Sequence, residues 1–154
     1  ESAPKDRAGN RSNYAANGLL SLPGTPNQMS IYGTEAYYEG TDSRVRRFAY
    51  RVDGFVSIQA DKQEGVMETR PLIFSGKQLE LNCVTRAGGS VVVILQDAQG
   101  RALKGLSSNP IQGDFVDHVV RWKSGSGIGS LSGKVVKLRF ELKNADLYSI
   151  RFAP

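Results

Sequence analysis

Residues 133–152 constrain the fold more than any other stretch, because their hydrophobicity alternates with a period of two. One set of alternate positions is apolar and the other is charged: Val136, Leu138, Phe140 and Leu142 against Lys137, Arg139, Glu141 and Lys143. That period is typical of a half-buried strand. Asn144-Ala145-Asp146 then supplies turn-forming side chains, after which Tyr148, Ile150 and Phe152 alternate on one side. We therefore predict an antiparallel hairpin that closes the domain and lies centrally in a sheet.

The rest of the chain repeats this pattern in shorter pieces. Seventeen glycines and six prolines separate brief alternating runs, and no long window shows apolar residues at helical spacing. Counting these runs predicts nine or ten short strands with turn residues between them. The predicted fold class is therefore all-β, an antiparallel β-sandwich with jelly-roll-like connections.

Two parts of unequal size are expected. Residues 1–28 are rich in Asn, Ser, Gly and Pro and are predicted to form an N-terminal arm or linker, while residues 29–154 form the sandwich. Residues 91–96 are apolar on both faces and predict a strand in the middle of the sandwich, with Ala87-Gly88-Gly89 between it and the predicted strand at 78–85. Cys83 alternates inward and is predicted to be a core residue rather than a nucleophile. The first residue is not methionine, so we expect a piece of a larger protein.

The net charge of the chain favours some classes of binding partner but does not identify one. The net charge of +5 in 154 residues favours attraction to polyanions. Nucleic acid is not predicted as a partner, because neither a groove-binding helix nor an aromatic RNA-binding motif is visible. A membrane is not predicted either, because the longest apolar run, residues 91–95, is far too short to cross one. The alternation places much of the basic charge on a solvated outer sheet face.

A series of short segments, in order, carries a family resemblance. They are DGFVS at 53–57, PLIFSG at 71–76, LQDAQG at 95–100, VRWK at 120–123 and LSGKVVKLRF at 131–140. The series resembles the C-terminal β-sandwich of large bacterial proteins whose N-terminal part resembles the five-bladed propeller of glycoside hydrolase family 32. The match covers residues 50–152, and the residues before it resemble the segment that joins propeller to sandwich.

The resemblance implies an accessory module of a secreted or periplasmic bacterial protein, next to a catalytic domain in the parent chain. In that family the catalytic carboxylates lie in the propeller, and their motif is absent from this sequence. No catalytic residue is therefore predicted.

The residue types present also argue against a catalytic site. His118 is the single histidine, and no Gly-x-Ser-x-Gly pattern marks a serine for it to activate. One His and one Cys disfavour a transition-metal site. No cofactor is predicted, although Asp114 and Asp117 leave a structural calcium ion open.

Sugar binding requires flat apolar platforms with polar or basic groups beside them. The candidate carbohydrate-binding residues are Tyr37, Tyr38, Arg46, Arg70, Trp122 and His118. Tyr37 and Tyr38 are adjacent, so in a strand only one of them faces outward. The alternation places Trp122 on the face of His118 and Val120, which favours packing for Trp122 over a platform. The arginines at 44, 46, 47, 51 and 70 supply cations that suit an anionic glycan.

Three functions remain open on the sequence. The leading prediction is a non-catalytic carbohydrate-binding sandwich that binds a polysaccharide or oligosaccharide. It predicts an exposed aromatic residue beside Arg or Lys on a concave face or at a loop tip. The alternative is a structural accessory sandwich that packs on a catalytic propeller or mediates oligomerisation, and it predicts an apolar patch formed partly by residues 14–40. A small hydrolase or lyase is a weaker third option.

Overall fold

The computed structural model describes residues 14–37, 41 and 43–154. The chain divides into two compact units, with the boundary between Phe55 and Val56. The division into an arm at 1–28 and a sandwich at 29–154 stays a prediction.

The first unit contains one antiparallel sheet of three strands in the order β1-β2-β3. These strands are β1 (Tyr14–Ala15), β2 (Gln28–Glu35) and β3 (Arg44–Arg51). β2 and β3 pair along their whole length, from Gln28 opposite Arg51 to Glu35 opposite Arg44. Gly33 interrupts the β2 alternation because Phe48 needs the space: a Cβ at residue 33 would lie 3.2 Å from Cε2 of Phe48. β2 is nevertheless continuous through its glycine, from Gln28 to Glu35.

The second unit contains a seven-stranded antiparallel sheet built around two strands of nineteen residues each. In chain order the elements are β4 (Ile58–Ala60), β5 (Gly65–Glu68), β6 (Leu72–Ile73), β7 (Gln78–Gln96), β8 (Ala102–Ser107), β9 (Asp114–Val119), a 3-10 helix (Gly129–Leu131) and β10 (Val135–Ala153). β10 pairs with β7 along one edge and with β4, β5 and β6 along the other. β8 and β9 pair with the outer edge of β7. The central place predicted for the closing segment is confirmed.

The predicted closing hairpin is wrong, and so is the predicted division of residues 78–96 into two strands at Ala87-Gly88-Gly89. β10 continues through Asn144-Ala145-Asp146 without reversing direction, and β7 continues through Ala87-Gly88-Gly89, because the two strands pair with each other on both sides of these segments. Lys143 lies opposite Ser90 and Ala145 lies opposite Thr85, so residues 86–89 of β7 face the single residue Asn144. The turn-forming residues therefore make a bulge that bends a strand instead of reversing it.

The bend is stabilised by contacts between the two strands. Gly88 (φ 72°) and Asn144 (φ 43°) both have left-handed backbones, and Asn144 Nδ2 donates a hydrogen bond to the Ala87 carbonyl at 2.9 Å. Gly89 packs directly on the opposite backbone, where a Cβ would lie 2.4 Å from the carbonyl oxygen of Asn144. Glycine is required there because another backbone occupies the place of a side chain.

A second irregularity keeps the apolar residues of β10 on the inside. The register shifts between Leu147 and Ser149, so that Leu147 lies opposite Cys83 while Ile150 lies opposite Leu81. Directly opposed residues share a face. Leu147 and Ile150 therefore line the core together with their β7 partners, Cys83 and Leu81. Tyr148, predicted to share a face with Ile150, falls at the register shift.

The curled second sheet encloses one hydrophobic core. Its fully buried side chains come mainly from alternate positions of β7 and β10: Leu79, Leu81, Cys83, Val91, Val93, Leu95, Val136, Leu138, Phe140 and Leu142. Phe74 stacks on Phe152 with ring centroids 4.2 Å apart. The core assignment of Cys83 is confirmed, and so is the all-β, antiparallel, sandwich-like fold class. No helix among the described residues has the length and apolarity needed to cross a membrane.

Candidate functional site

The sheet of the first unit has two chemically different faces. Cross-strand partners project to the same side of an antiparallel pair, so the register assigns each residue to a face. The face that we call the polar face carries Gln28, Ser30, Tyr32 and Thr34 with Val45, Arg47, Ala49 and Arg51. The opposite face, which we call the apolar face, carries the apolar residues Met29, Ile31, Phe48 and Tyr50. The charged residues Glu35, Arg44 and Arg46 lie at one end of this same face, next to Gly33.

An exposed pair of tyrosines lies at one end of this sheet. Tyr14 pairs with Thr34 in the β1–β2 ladder, and Tyr37 follows the end of β2 by two residues. The two rings meet edge to face, with centroids 5.4 Å apart and planes at 68°. Tyr14 is 52% exposed and Tyr37 is 53% exposed. Each ring therefore supports the other while presenting much of its surface to solvent.

Only half of this pair was expected from the sequence. Tyr37 was predicted as a candidate platform, whereas Tyr14 lies in the segment predicted to be an arm. Nothing local marks Tyr14, because its position depends on the pairing of a two-residue strand with β2. Tyr38 lies outside the described residues.

Arg47 is held in place on the polar face by two neutral side chains. Its Nε–H donates to the Ser30 hydroxyl at 2.9 Å, and its Nη2 donates to the Gln28 amide oxygen at 3.2 Å. Ser30 is completely buried, whereas Arg47 is exposed. The buried hydroxyl thus fixes the orientation of a guanidinium group at the surface.

Arg46 is arranged differently. It shares the apolar face with Arg44, and both arginines place Nε 2.8 Å from a carboxylate oxygen of the buried Glu35. The Arg44 contact is a hydrogen bond, whereas the Arg46 contact is an ion pair without hydrogen-bond alignment. The predicted site residue Arg46 is therefore committed to charge compensation of Glu35, on the side of the sheet opposite Arg47.

The other predicted site residues belong to the second unit. Arg70 is exposed between β5 and β6. Trp122 is only 7% exposed and packs in the core, which confirms the packing interpretation and removes it as a platform. The structure therefore places Tyr37 and Arg46 in one compact unit and Arg70, His118 and Trp122 in the other.

His118 lies half-buried near the end of β9, with its ring centroid 4.5 Å from that of Phe115. Burial, with a smaller contribution from the positive charge of Arg121, lowers the pKa of this imidazole below its usual 6.5. The neutral ring is therefore favoured, which suits packing against an aromatic neighbour.

The acidic residues considered for calcium are both on β9. Asp114 begins this strand and Asp117 lies three residues later, in an exposed position. Within the described part of the chain, no three His, Cys, Asp or Glu side chains converge as a metal site would require.

The comparisons with known proteins found no similar protein. No protein-family model, no curated protein and no solved structure matches the chain.

Proposed function

We propose that this chain is a non-catalytic carbohydrate-binding module, with the Tyr14–Tyr37 pair as its sugar platform. The single observation that carries the proposal is an aromatic pair of which about half remains exposed, braced by an edge-to-face contact of 5.4 Å. Tyrosine rings offer flat apolar area and a hydroxyl donor at low cost in conformational entropy, which suits the faces and hydroxyls of pyranose rings. Tyr37 follows β2 by two residues and lies in the connection to β3, which supports the exposed aromatic residue at a loop that the leading sequence prediction expects.

The setting belongs to the same proposal. The resemblance to accessory sandwiches of propeller-containing glycoside hydrolases supports a module of a secreted or periplasmic bacterial protein. Its partners would be a polysaccharide and an adjacent catalytic domain.

A second candidate, the structural accessory domain, also has an observation in its favour. Among the described residues of the first unit, Ala36 is the single buried apolar side chain. Large apolar residues of that unit are instead exposed: Tyr14, Leu19, Leu20, Tyr37, Val45, Tyr50 and Phe55. Exposed apolar residues that adjoin one another are typical of a surface that a protein partner covers. The adjacent pairs Tyr14–Tyr37 and Tyr50–Phe55 are examples in this unit.

Affinity electrophoresis separates the two candidates. The chain would be run against neutral, uronate-containing and sulfated polysaccharides, in low and high salt, as wild type and as Tyr14→Ala and Tyr37→Ala. We expect retardation that survives moderate salt and is largely lost in both tyrosine variants, because the platform needs both rings.

Phe55→Ala is the matched control. Phe55 is 52% exposed and contacts Tyr50, with ring centroids 5.6 Å apart, so an equally exposed aromatic pair is disrupted. Tyr50 lies opposite Met29, five residues from Thr34 along β2, or about 17 Å away. Equal loss in all three variants, or no retardation by any polysaccharide, would favour the structural accessory domain.

A further inference from the structure

We propose that Arg47 recognises an anionic group of the glycan, a sulfate or a carboxylate, and so sets the specificity of the module. This inference rests on the proposed function, because it names the class of glycan that binds the surface containing the Tyr14–Tyr37 platform. A basic net charge alone would attract any polyanion, whereas this inference assigns recognition to one side chain on one face.

The state of charge compensation distinguishes Arg47 from its neighbours on β3. Arg44 and Arg46 both contact the Glu35 carboxylate at 2.8 Å, so much of their charge is already balanced. In the described part of the chain, Arg47 has Ser30 and Gln28 as side-chain partners, and both are neutral. Its positive charge therefore keeps its attraction for an anion, while its position is already fixed.

The hydrogen bonds of Arg47 also leave donors to spare. A guanidinium group has five N–H donors in a rigid plane. Two are used, one from Nε to Ser30 and one from Nη2 to Gln28, which leaves three. Donors in this planar arrangement match the paired oxygens of a carboxylate or sulfate. Because Ser30 and Gln28 already restrict the side chain, binding an anion would cost less conformational entropy than at a mobile arginine.

The register of the sheet sets the length of the ligand. In the register Arg47 lies opposite Tyr32, two residues from Thr34, but its guanidinium group contacts Ser30, which is four residues from Thr34 along β2. Thr34 in turn pairs with Tyr14. Four residues of strand span about 13 Å. A single sugar ring on the tyrosines would not reach Arg47, so the matching ligand is an oligosaccharide with its anionic group on a different residue from the stacked ring.

Calorimetric titration with sulfated oligosaccharides of increasing length, and with their desulfated counterparts, tests the inference. Uronate-containing oligosaccharides and their reduced, neutral forms would make a second matched series. For Arg47→Gln we expect binding of the anionic ligands to weaken about tenfold or more, as loss of a charge-assisted contact predicts. Binding of the neutral counterparts should change less than about twofold, because the tyrosine platform is intact.

Three further variants make the test specific. Arg47→Lys keeps the charge and loses the planar donor group, so we expect a substantial part of the loss to remain. Gln28→Ala removes one positioning contact and should weaken anionic ligands alone. Arg121→Gln changes the net charge equally at an exposed arginine of the second unit and should have little effect.

The outcomes separate this inference from the proposed function. Binding that needs Tyr14 and Tyr37 but does not distinguish Arg47→Gln from Arg121→Gln would overturn the role of Arg47 and leave the module intact. Binding that does not need the tyrosines would overturn the platform, and with it this inference. No binding of any anionic oligosaccharide, with the neutral counterparts still bound, would overturn the role of Arg47 alone. No binding of either series would overturn the proposed function as well.

Discussion

His118 shows how one side chain links packing to pH. Its half-buried imidazole lies against Phe115, and burial lowers its pKa in the folded protein below the usual 6.5. The unfolded chain therefore binds a proton more readily than the folded chain does. Below about pH 6.5 protonation favours the unfolded state, and the contribution of His118 to stability is lost as the pH falls from there through the lower folded-state pKa.

We expect the free energy of unfolding to fall between pH 7.5 and pH 5, with His118 responsible for part of the change. His118→Gln removes the titrating group, so the variant should lose less stability than the wild type over that interval. Urea unfolding at several pH values, followed by the fluorescence of the single tryptophan, measures both. Parallel pH profiles for the two proteins would show that His118 does not titrate differently on folding.

The paired bends in β7 and β10 are the main determinant of the shape of the second sheet. Two long strands follow each other through the same change of direction, with four residues of one facing a single residue of the other. Neither strand needs a hairpin at this point, because inward-facing apolar residues on both sides of the bend, such as Cys83 and Val91 of β7, reach the same core. Bulges of this kind increase local twist and curvature, which is how one sheet encloses a core.

Adjacent glycines at the bend provide a matched pair of substitutions. In Gly89→Ala the new Cβ would meet the carbonyl oxygens of Asn144 and Lys143 at 2.4 and 2.7 Å, so the two strands must separate. We expect a loss of about 3 kcal/mol in the free energy of unfolding, at the upper end for overpacking. In Gly88→Ala the new Cβ would have no neighbour within 4 Å. The expected loss in the free energy of unfolding is therefore only that of an alanine in a left-handed backbone conformation, about 1 kcal/mol.

Urea denaturation of the two variants checks this order. Equal losses would mean that the strands at Gly89 can move apart without cost, contrary to the close backbone contact. The comparison is informative because the substitutions are chemically identical and neighbouring.

At the level of the whole chain, the second unit contains what a stable domain needs. Its strands pair among themselves, and its core is formed entirely by residues between Ala60 and Phe152. We expect the fragment Val56–Pro154 to fold by itself with a cooperative unfolding transition. Trp122 is buried in this core, so its fluorescence should be blue-shifted in the fragment as in the full chain.

A solvent-exposed tryptophan spectrum, or a broad transition in urea, would contradict independent folding. The tyrosine pair and Arg47 lie in the first unit, so the fragment should also lose the glycan binding proposed for the full chain. That loss would locate binding without any substitution.

The sequence by itself determined which residues face the core wherever a strand is regular. Alternation is a local property, because successive side chains of an extended chain point to opposite sides whatever the strand pairs with. Val136, Leu138, Phe140 and Leu142 are buried as predicted, and Cys83 is a core residue. The all-β class follows from the same local signal, and so does the central place of the last strand.

Only the tertiary structure decided where the chain bends and which polar side chains meet. Asn144 suits a turn or a bulge equally well, and the choice depends on β7, more than forty residues earlier, as its partner. Arg46 and Arg47 are adjacent and chemically identical, yet one compensates Glu35 and the other is held by Ser30 and Gln28 on the opposite face. Alternation puts the two arginines on opposite faces, but the register of β3 on β2 decides which of them meets Glu35 and which meets Ser30 and Gln28. Register is set by pairing between separate segments, which no local pattern contains.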